Sequence, residues 1–281
     1  IREFAAHTLL YGPEGRAAME SYFREFLSLA NRHNTGFILD SQTWKAHMHW
    51  ADDLGASEEE LRDANRESIR FISGLRAEFD DNSHPVVLNA LIGPTSDAYA
   101  PEDRIGSKNA EAYHAKPLGW LADTEVDMVT GTTLPRADEA VGMVRAAQAL
   151  ALPIVISFTV ETNGCLPSGR SLADAIRVVD ESTDCGPAYY MVNCAHPDHF
   201  FTELDGADWS RRIRGFRFNA SRLSHAELDA CDILDDGDPV EFGNLYREIF
   251  ERMPWLTVFG GCCGSDLRHI TQAARAIHPV D

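Results

Sequence analysis

The chain has 281 residues, 44% of them hydrophobic, which is enough for one large α/β domain. Its 25 basic and 44 acidic side chains give a formal charge of −19, which repels phosphate backbones and argues against nucleic acid and anionic membranes as partners. No apolar run reaches the roughly 18 residues of a membrane span, no secretory signal is visible, and the cysteines are too sparse for a disulfide scaffold, so a cytoplasmic protein is expected.

In chain order, Met19, Tyr22, Phe23, Phe26 and Leu27 mark a first helix. Phe37-Ile38-Leu39 reads as a short strand. Ser57-x-x-Glu60 is a capping-box pattern, and the helix it opens carries Leu61, Ile69, Ile72, Leu75 and Phe79 on one face. Further strand-length apolar runs are Val86 to Ile92, Met128-Val129, Ile154 to Val160, Tyr189 to Val192, Phe216 to Phe218 and Leu256 to Phe259. Helical spacing recurs around 136–151, 171–182, 241–253 and 265–278. The acidic stretch Asp232 to Asp238 reads as a solvated loop.

Strand and helix alternate, which implies parallel strands joined by crossover helices. No Gly-x-Gly-x-x-Gly follows an early strand, so a dinucleotide-binding open sheet is disfavoured. The expected fold is a single (β/α)8 TIM barrel over residues 1–281. Seven of its eight strands are visible, and the first strand with its turn is expected to be missing from the chain.

Catalytic groups of such a barrel gather at the C-terminal strand ends. Cys194, in Val192-Asn193-Cys194, follows the sixth barrel strand, and Cys262 and Cys263, in Gly260-Gly261-Cys262-Cys263-Gly264, follow the eighth. Alternate strands present side chains at similar height, so the three thiols can meet one Zn2+ ion. Three protein ligands leave an open position, the mark of a catalytic rather than a structural zinc site. Competing readings are three small buried hydrophobes, or a vicinal disulfide acting as a redox sensor. The flanking glycines favour unusual backbone or close approach to a ligand. Cys165, Cys185 and Cys231 are read as packing residues. Glu161, after the fifth strand, can pair with a substrate ammonium or form a rim salt bridge. Asn219, after the seventh, can reach the metal, orient a thiolate, or cap a helix or turn. Thr43, and more weakly Asp40, follow the second strand as polar contacts for substrate or as ordinary loop structure. His196 is assigned a supporting or surface role beside Cys194. Trp44, Trp50 and Trp120 offer aromatic surface for a methylated cation, or ordinary core or rim.

The two cysteine motifs resemble those of the homocysteine S-methyltransferase family. Ile92-Gly93-Pro94, Phe218-Asn219-Ala220-Ser221 and Ile156-Ser157-Phe158-Thr159-Val160-Glu161 add weaker matches, and the resemblance extends over nearly the whole chain. It implies a barrel holding one zinc through Cys194, Cys262 and Cys263, with Glu161 on the substrate amino group and Asn219 approaching the metal when homocysteine is absent. The implied reaction moves a methyl group from a sulfonium or quaternary ammonium donor to the thiol of homocysteine, giving methionine, a step of methionine biosynthesis. Small-molecule substrates are therefore the expected partners. A zinc-dependent hydrolase or lyase on the same barrel, and a non-catalytic zinc or thiol redox protein, stay open as alternatives. The family's opening strand and Asp-Gly-Gly-like turn have no counterpart in this sequence.

Overall fold

A computed structural model describes residues 5–79, 84–99, 105–204 and 208–279. Pro13 sits in the first turn of α1 (Pro13–Arg32), where its missing N–H is no loss. Helix α1 leads into β1 (Phe37–Asp40), then the one-turn α2 (Ala51–Leu54) and α3 (Glu58–Phe79). The expected capping box is present. Ser57 Oγ accepts the N–H of Glu60 at 3.2 Å, and Glu60 Oε2 accepts the N–H of Ser57 at 2.8 Å.

The remaining elements alternate: β2 (Val86–Ile92), α4 (Ser107–Leu121), β3 (Met128–Leu134), α5 (Ala137–Ala149), β4 (Ile154–Phe158), α6 (Leu172–Thr183), β5 (Tyr190–Ala195) and β6 (Ile213–Phe218). The short α7 (His225–Asp229), α8 (Pro239–Arg252), β7 (Val258–Gly261) and α9 (Leu267–Ile277) complete the chain. Ser171 caps α6, and Asp238 and Asp266 cap α8 and α9 with side-chain oxygens on the first free N–H groups.

All strands are parallel and pair in sequence order, β1 to β7. The sheet curls. Arg217 on β6 reaches Asp40 on β1 with an N–O separation of 2.5 Å. In a flat sheet those strands would stand roughly 24 Å apart, five steps of about 4.8 Å. Inside the curl lie Asn89, Thr130, Thr132, Ser157 and Asn193. Asn193 Oδ1 accepts from Ser157 Oγ and the Thr133 N–H, and its Nδ2 donates to Thr133 Oγ1, so β3, β4 and β5 are tied by one amide. Outside it, Phe158, Tyr190, Phe216, Phe218 and Tyr246 join one continuous apolar core with the helices.

The described strands number seven and form a curled sheet with edges at β1 and β7, as expected of a barrel without its first strand, and the closed eight-stranded form is not shown. Three expectations need correction. β4 ends at Phe158, which leaves Glu161 in the turn beyond it. β5 runs on through the polar Asn193 and Cys194, because their side chains are enclosed by neighbouring strands and loops. Cys185 and Cys231 are exposed and Cys165 is half-buried, so packing does not account for them. The loop at 232–238 is largely solvated as expected, although Asp235 also accepts the Ser221 hydroxyl at 2.6 Å.

Candidate metal centre

The three sulfurs of Cys194, Cys262 and Cys263 lie within 4.8 Å of one another. That is close to the span of two Zn–S bonds of about 2.3 Å each. The sulfurs of Cys194 and Cys262 are in direct contact, with Cα atoms 5.4 Å apart, and that of Cys263 stands beside them. Among the described residues this is the one cluster of three or more metal-ligating side chains. Three soft donors with no fourth protein ligand fit a zinc site with an open position.

Backbone positions the sulfurs. Cys194 adopts a left-handed conformation, with φ of 53°, near the end of β5. Cys262 and Cys263 leave β7 through a turn pinned to the loop after β6. Cys262 N–H donates to the Phe218 carbonyl at 2.8 Å, Ala220 N–H to the Cys263 carbonyl at 3.0 Å, and Cys263 N–H to Asn219 Oδ1 at 3.1 Å. Ser265 Oγ donates to the Cys262 carbonyl at 2.7 Å. Two glycines make the turn feasible. Gly264 has φ of 78°, and a Cβ on Gly261 would stand 2.0 Å from Ser265 Oγ.

Asn219 is buried, and its amide oxygen holds the backbone of Cys263. Glu161 is half-buried, with Oε1 3.6 Å from His225 Nδ1. Thr43 is buried and ties the loop after β1 to β2. It donates to the Leu91 carbonyl at 2.7 Å and shares a 2.6 Å hydrogen bond with Ser41. Asp40 is engaged by Arg217 and by Asn89 Nδ2 at 2.7 Å. His196 is buried, and its Nδ1 accepts the Asp198 N–H at 3.2 Å. Burial, opposed by Asp198, holds its pKa down to about 4, so the ring is neutral at pH 7.

The tryptophans divide. Lys45 Nζ already lies 3.7 Å from the Trp50 ring and 5.6 Å from that of Trp44. Trp120 packs in a satellite cluster with Ala46, Ala51, Leu61 and Ala64.

Two residues that sequence reasoning missed complete the surroundings. His225, the first residue of α7, brings Nε2 to 2.6 Å from the Cys194 carbonyl oxygen. Tyr99, in the loop after β2, packs against the His225 ring at a tilt of 37°, with centroids 4.0 Å apart. Burial, then the negative groups Cys263, Asp229, Asp97 and Glu161, push the Tyr99 phenol above its ordinary range. The capping box Ser224-His225-Ala226-Glu227 was the available signal for His225, since it fixes that ring at a helix start just after the Asn219 motif. Beside Cys262 the curl of the sheet encloses a cavity of about 570 Å³, lined by Thr132, Ser157, Met191 and Arg217 among others.

The family described as Homocysteine S-methyltransferase matches residues 3–277 of the chain. No curated protein matches it. Among solved structures, the homocysteine methyltransferase MmuM from Escherichia coli is similar in three forms. The metallated form superposes with a TM-score of 0.70 at 15% identity, covering 96% of this chain and 87% of that one. The oxidized form gives 0.75 at 14% identity, covering 97% and 88%. The apo form gives 0.64 at 14% identity, again covering 97% and 88%. At such identity these likenesses speak to the fold, and the family match speaks to the chemistry. The chain thus belongs to the homocysteine S-methyltransferase family and is an S-methyltransferase.

Proposed function

We propose that the protein transfers a methyl group from a sulfonium or quaternary ammonium donor to the thiol of homocysteine, giving methionine, with zinc held by Cys194, Cys262 and Cys263. The observation that carries this reading is the convergence of those three sulfurs within 4.8 Å at the C-terminal ends of β5 and β7. When bound, zinc supplies deprotonation of a coordinated thiol, whose solution pKa near 8.5 otherwise leaves only a few per cent as thiolate at neutral pH.

The chain's own groups do the rest. Cys194, Cys262 and Cys263 carry three negative charges as thiolates and set the electron-rich character of the site. Asn219 fixes the Cys263 backbone. Glu161 accepts the substrate ammonium. Thr43 keeps one hydroxyl lone pair for a substrate donor, since its proton is given to Leu91. The acceptor sulfur forms the S–CH3 bond as the donor's sulfur or nitrogen leaves with the bonding pair, and the thiol proton passes to solvent. The donor's positive charge suits the surroundings, because Tyr99 is flanked by Glu161, Asp97, Asp229 and Cys263. An aromatic cage built from Trp50 and Trp120 is set aside, since Lys45 lies over one ring and the other is core. Three reduced thiols suit a cytoplasmic setting. An eighth strand between β7 and β1 would complete the barrel.

The proximity of the Cys194 and Cys262 sulfurs favours a second reading, a thiol redox protein. Zinc K-edge absorption on the reduced protein separates the two. Three sulfurs and one light atom, becoming four sulfurs with L-homocysteine, is the expected result. A shell that keeps its light atom points to activated water, as in a hydrolase or lyase, and failure to take up zinc points to redox chemistry.

A further inference from the structure

We infer that Asn193 is a positioning residue for Cys194. Its side-chain amide locks two bulged strands together and so turns the Cys194 sulfur away from the helix-facing side of β5, toward Cys262 and Cys263. This rests on the proposed metal centre. Side chains alternate between the two faces of a strand, and an inserted residue reverses the alternation beyond it. On β5, Tyr190 and Val192 join the apolar core with the helices, while Met191 and Asn193 face the interior of the curl. Cys194 is therefore due on the helix side, but Ala195 stands in that core instead. The pairing with β6 gives the reason. Asn193 lies opposite Arg217 and Ala195 opposite Phe218, so Cys194 is the extra residue of a β-bulge.

β3 carries the same device. Thr130 and Thr132 face the interior, and Val129 and Leu134 join the core. Gly131 pairs with Ile156 and Leu134 with Phe158, so β3 also holds one residue more than its partner strand. Thr133 and Cys194 both have left-handed backbone, with φ of 61° and 53°. Such backbone is disfavoured for residues with a Cβ, most of all for β-branched ones, and persists only where the surroundings over-determine it. Asn193 serves both bulges. Its Oδ1 accepts the Thr133 N–H at 3.0 Å and the Ser157 hydroxyl at 2.5 Å, and its Nδ2 donates to Thr133 Oγ1 at 2.8 Å. Those bonds fix β5 just before Cys194. Just after it, the Ala195 carbonyl accepts the Asn219 N–H at 3.1 Å. With both neighbours held, the Cys194 sulfur is directed to Cys262, which lines the interior cavity. An apolar side chain at 193 frees β5 to relax toward regular alternation, which points the sulfur at the helices.

Asn193→Leu removes every one of these bonds at similar side-chain volume. Zinc affinity is measured on the reduced protein by competition with a chelator, and the zinc-loaded protein is then examined by K-edge absorption. The expected result is zinc binding weaker by roughly 10- to 100-fold, with one of the sulfurs in the shell replaced by a light atom. Val179→Ala, a truncation of a buried residue on α6, is the control for lost stability alone. It should hold zinc within about twofold of wild type, with its sulfurs unchanged. If Asn193→Leu does not fold, Thr133→Val and Thr133→Ser put the same question more gently. Valine removes the oxygen that Asn193 Nδ2 bonds, and serine keeps it. Thr133→Val should bind zinc about threefold or more weaker than Thr133→Ser.

Wild-type zinc affinity with all three sulfurs in Asn193→Leu would overturn the inference. So would an equal loss of zinc in Val179→Ala, or equal affinity in the two Thr133 variants, because the Asn193 amide would then serve general stability alone. Those outcomes leave the proposed methyl transfer standing. Failure of the wild-type protein to take up zinc would overturn the proposed function, and this inference with it.

Discussion

Cys262 illustrates how little freedom the site leaves a single side chain. Its N–H is bonded to Phe218 and its carbonyl to both the N–H and hydroxyl of Ser265, so its backbone is held whatever its sulfur does. Cys262→Ser should therefore keep the fold, with melting temperature and far-ultraviolet circular dichroism close to wild type. It should lose stoichiometric zinc and methyl transfer together. Full activity in this variant, measured as methionine formed with a sulfonium or betaine donor, would sink the zinc–thiolate mechanism. Glu161→Gln should behave differently. Losing a carboxylate that faces an ammonium costs about 1.5–3 kcal/mol of binding, or roughly 10- to 100-fold in KM for homocysteine. Its zinc content should not change. The three cysteines were legible in the sequence because two motifs, each after an apolar run, carry the signal locally. Tyr99 and His225 were not. Tyr99 lies in a loop whose path depends on the whole fold, and the capping box at His225 marks a helix start without naming what the ring would meet.

At the scale of elements, loops are anchored to strands and helices by buried polar groups, and one of those groups titrates. His47, in the loop between β1 and α2, is buried, with Nδ1 2.7 Å from the Tyr113 hydroxyl on α4. Burial, with minor help from neighbouring histidines, pushes its pKa down to about 3. The unfolded chain binds a proton near pH 6.5, while the folded chain refuses one until about pH 3. Stability is thus fully present above pH 6.5 and is lost as pH falls toward 3, at up to about 1.4 kcal/mol per pH unit from this residue. His47→Asn removes that titration. Urea denaturation should show the variant less stable at pH 7 by about 1–3 kcal/mol and should flatten the slope below pH 6. A slope unchanged from wild type would place the acid sensitivity elsewhere. The helices that could be read ahead were those with periodic apolar faces or a capping box, such as α3. Helix α4 escaped because Pro117 interrupts it and its apolar residues do not form one clean stripe. Strand ends were misjudged where polar residues continue a strand into the enclosed interior, as Asn193 does on β5.

The whole molecule depends on curling a parallel sheet so that β5 and β7 bring their sulfurs together. Alternation of strands and helices made the parallel sheet and its order legible in the sequence. The barrel reading implied its curl as well, but not the contacts that hold the curl, because these join residues far apart in the chain and belong to types usually found at surfaces. The clearest is Arg217 with Asp40, a β6-to-β1 ion pair that spans the interior. Asp40 raises the Arg217 guanidinium above its ordinary range despite burial, and Asn89 supplies Asp40 with a further hydrogen bond. Removing one partner leaves the other enclosed without its counter-charge. Arg217→Met should therefore destabilise the protein by about 3 kcal/mol, toward the lower end for a buried pair because both side chains retain some solvent contact. Adding Asp40→Asn removes the stranded charge while keeping an oxygen for Asn89, and should recover about half of that loss. Zinc uptake and homocysteine affinity should follow the same order, with the double variant above the single, because the pair holds the curvature that the sulfur cluster needs. If urea denaturation showed the double variant no more stable than Arg217→Met, the ion pair would be a passenger of the curl and not one of its causes.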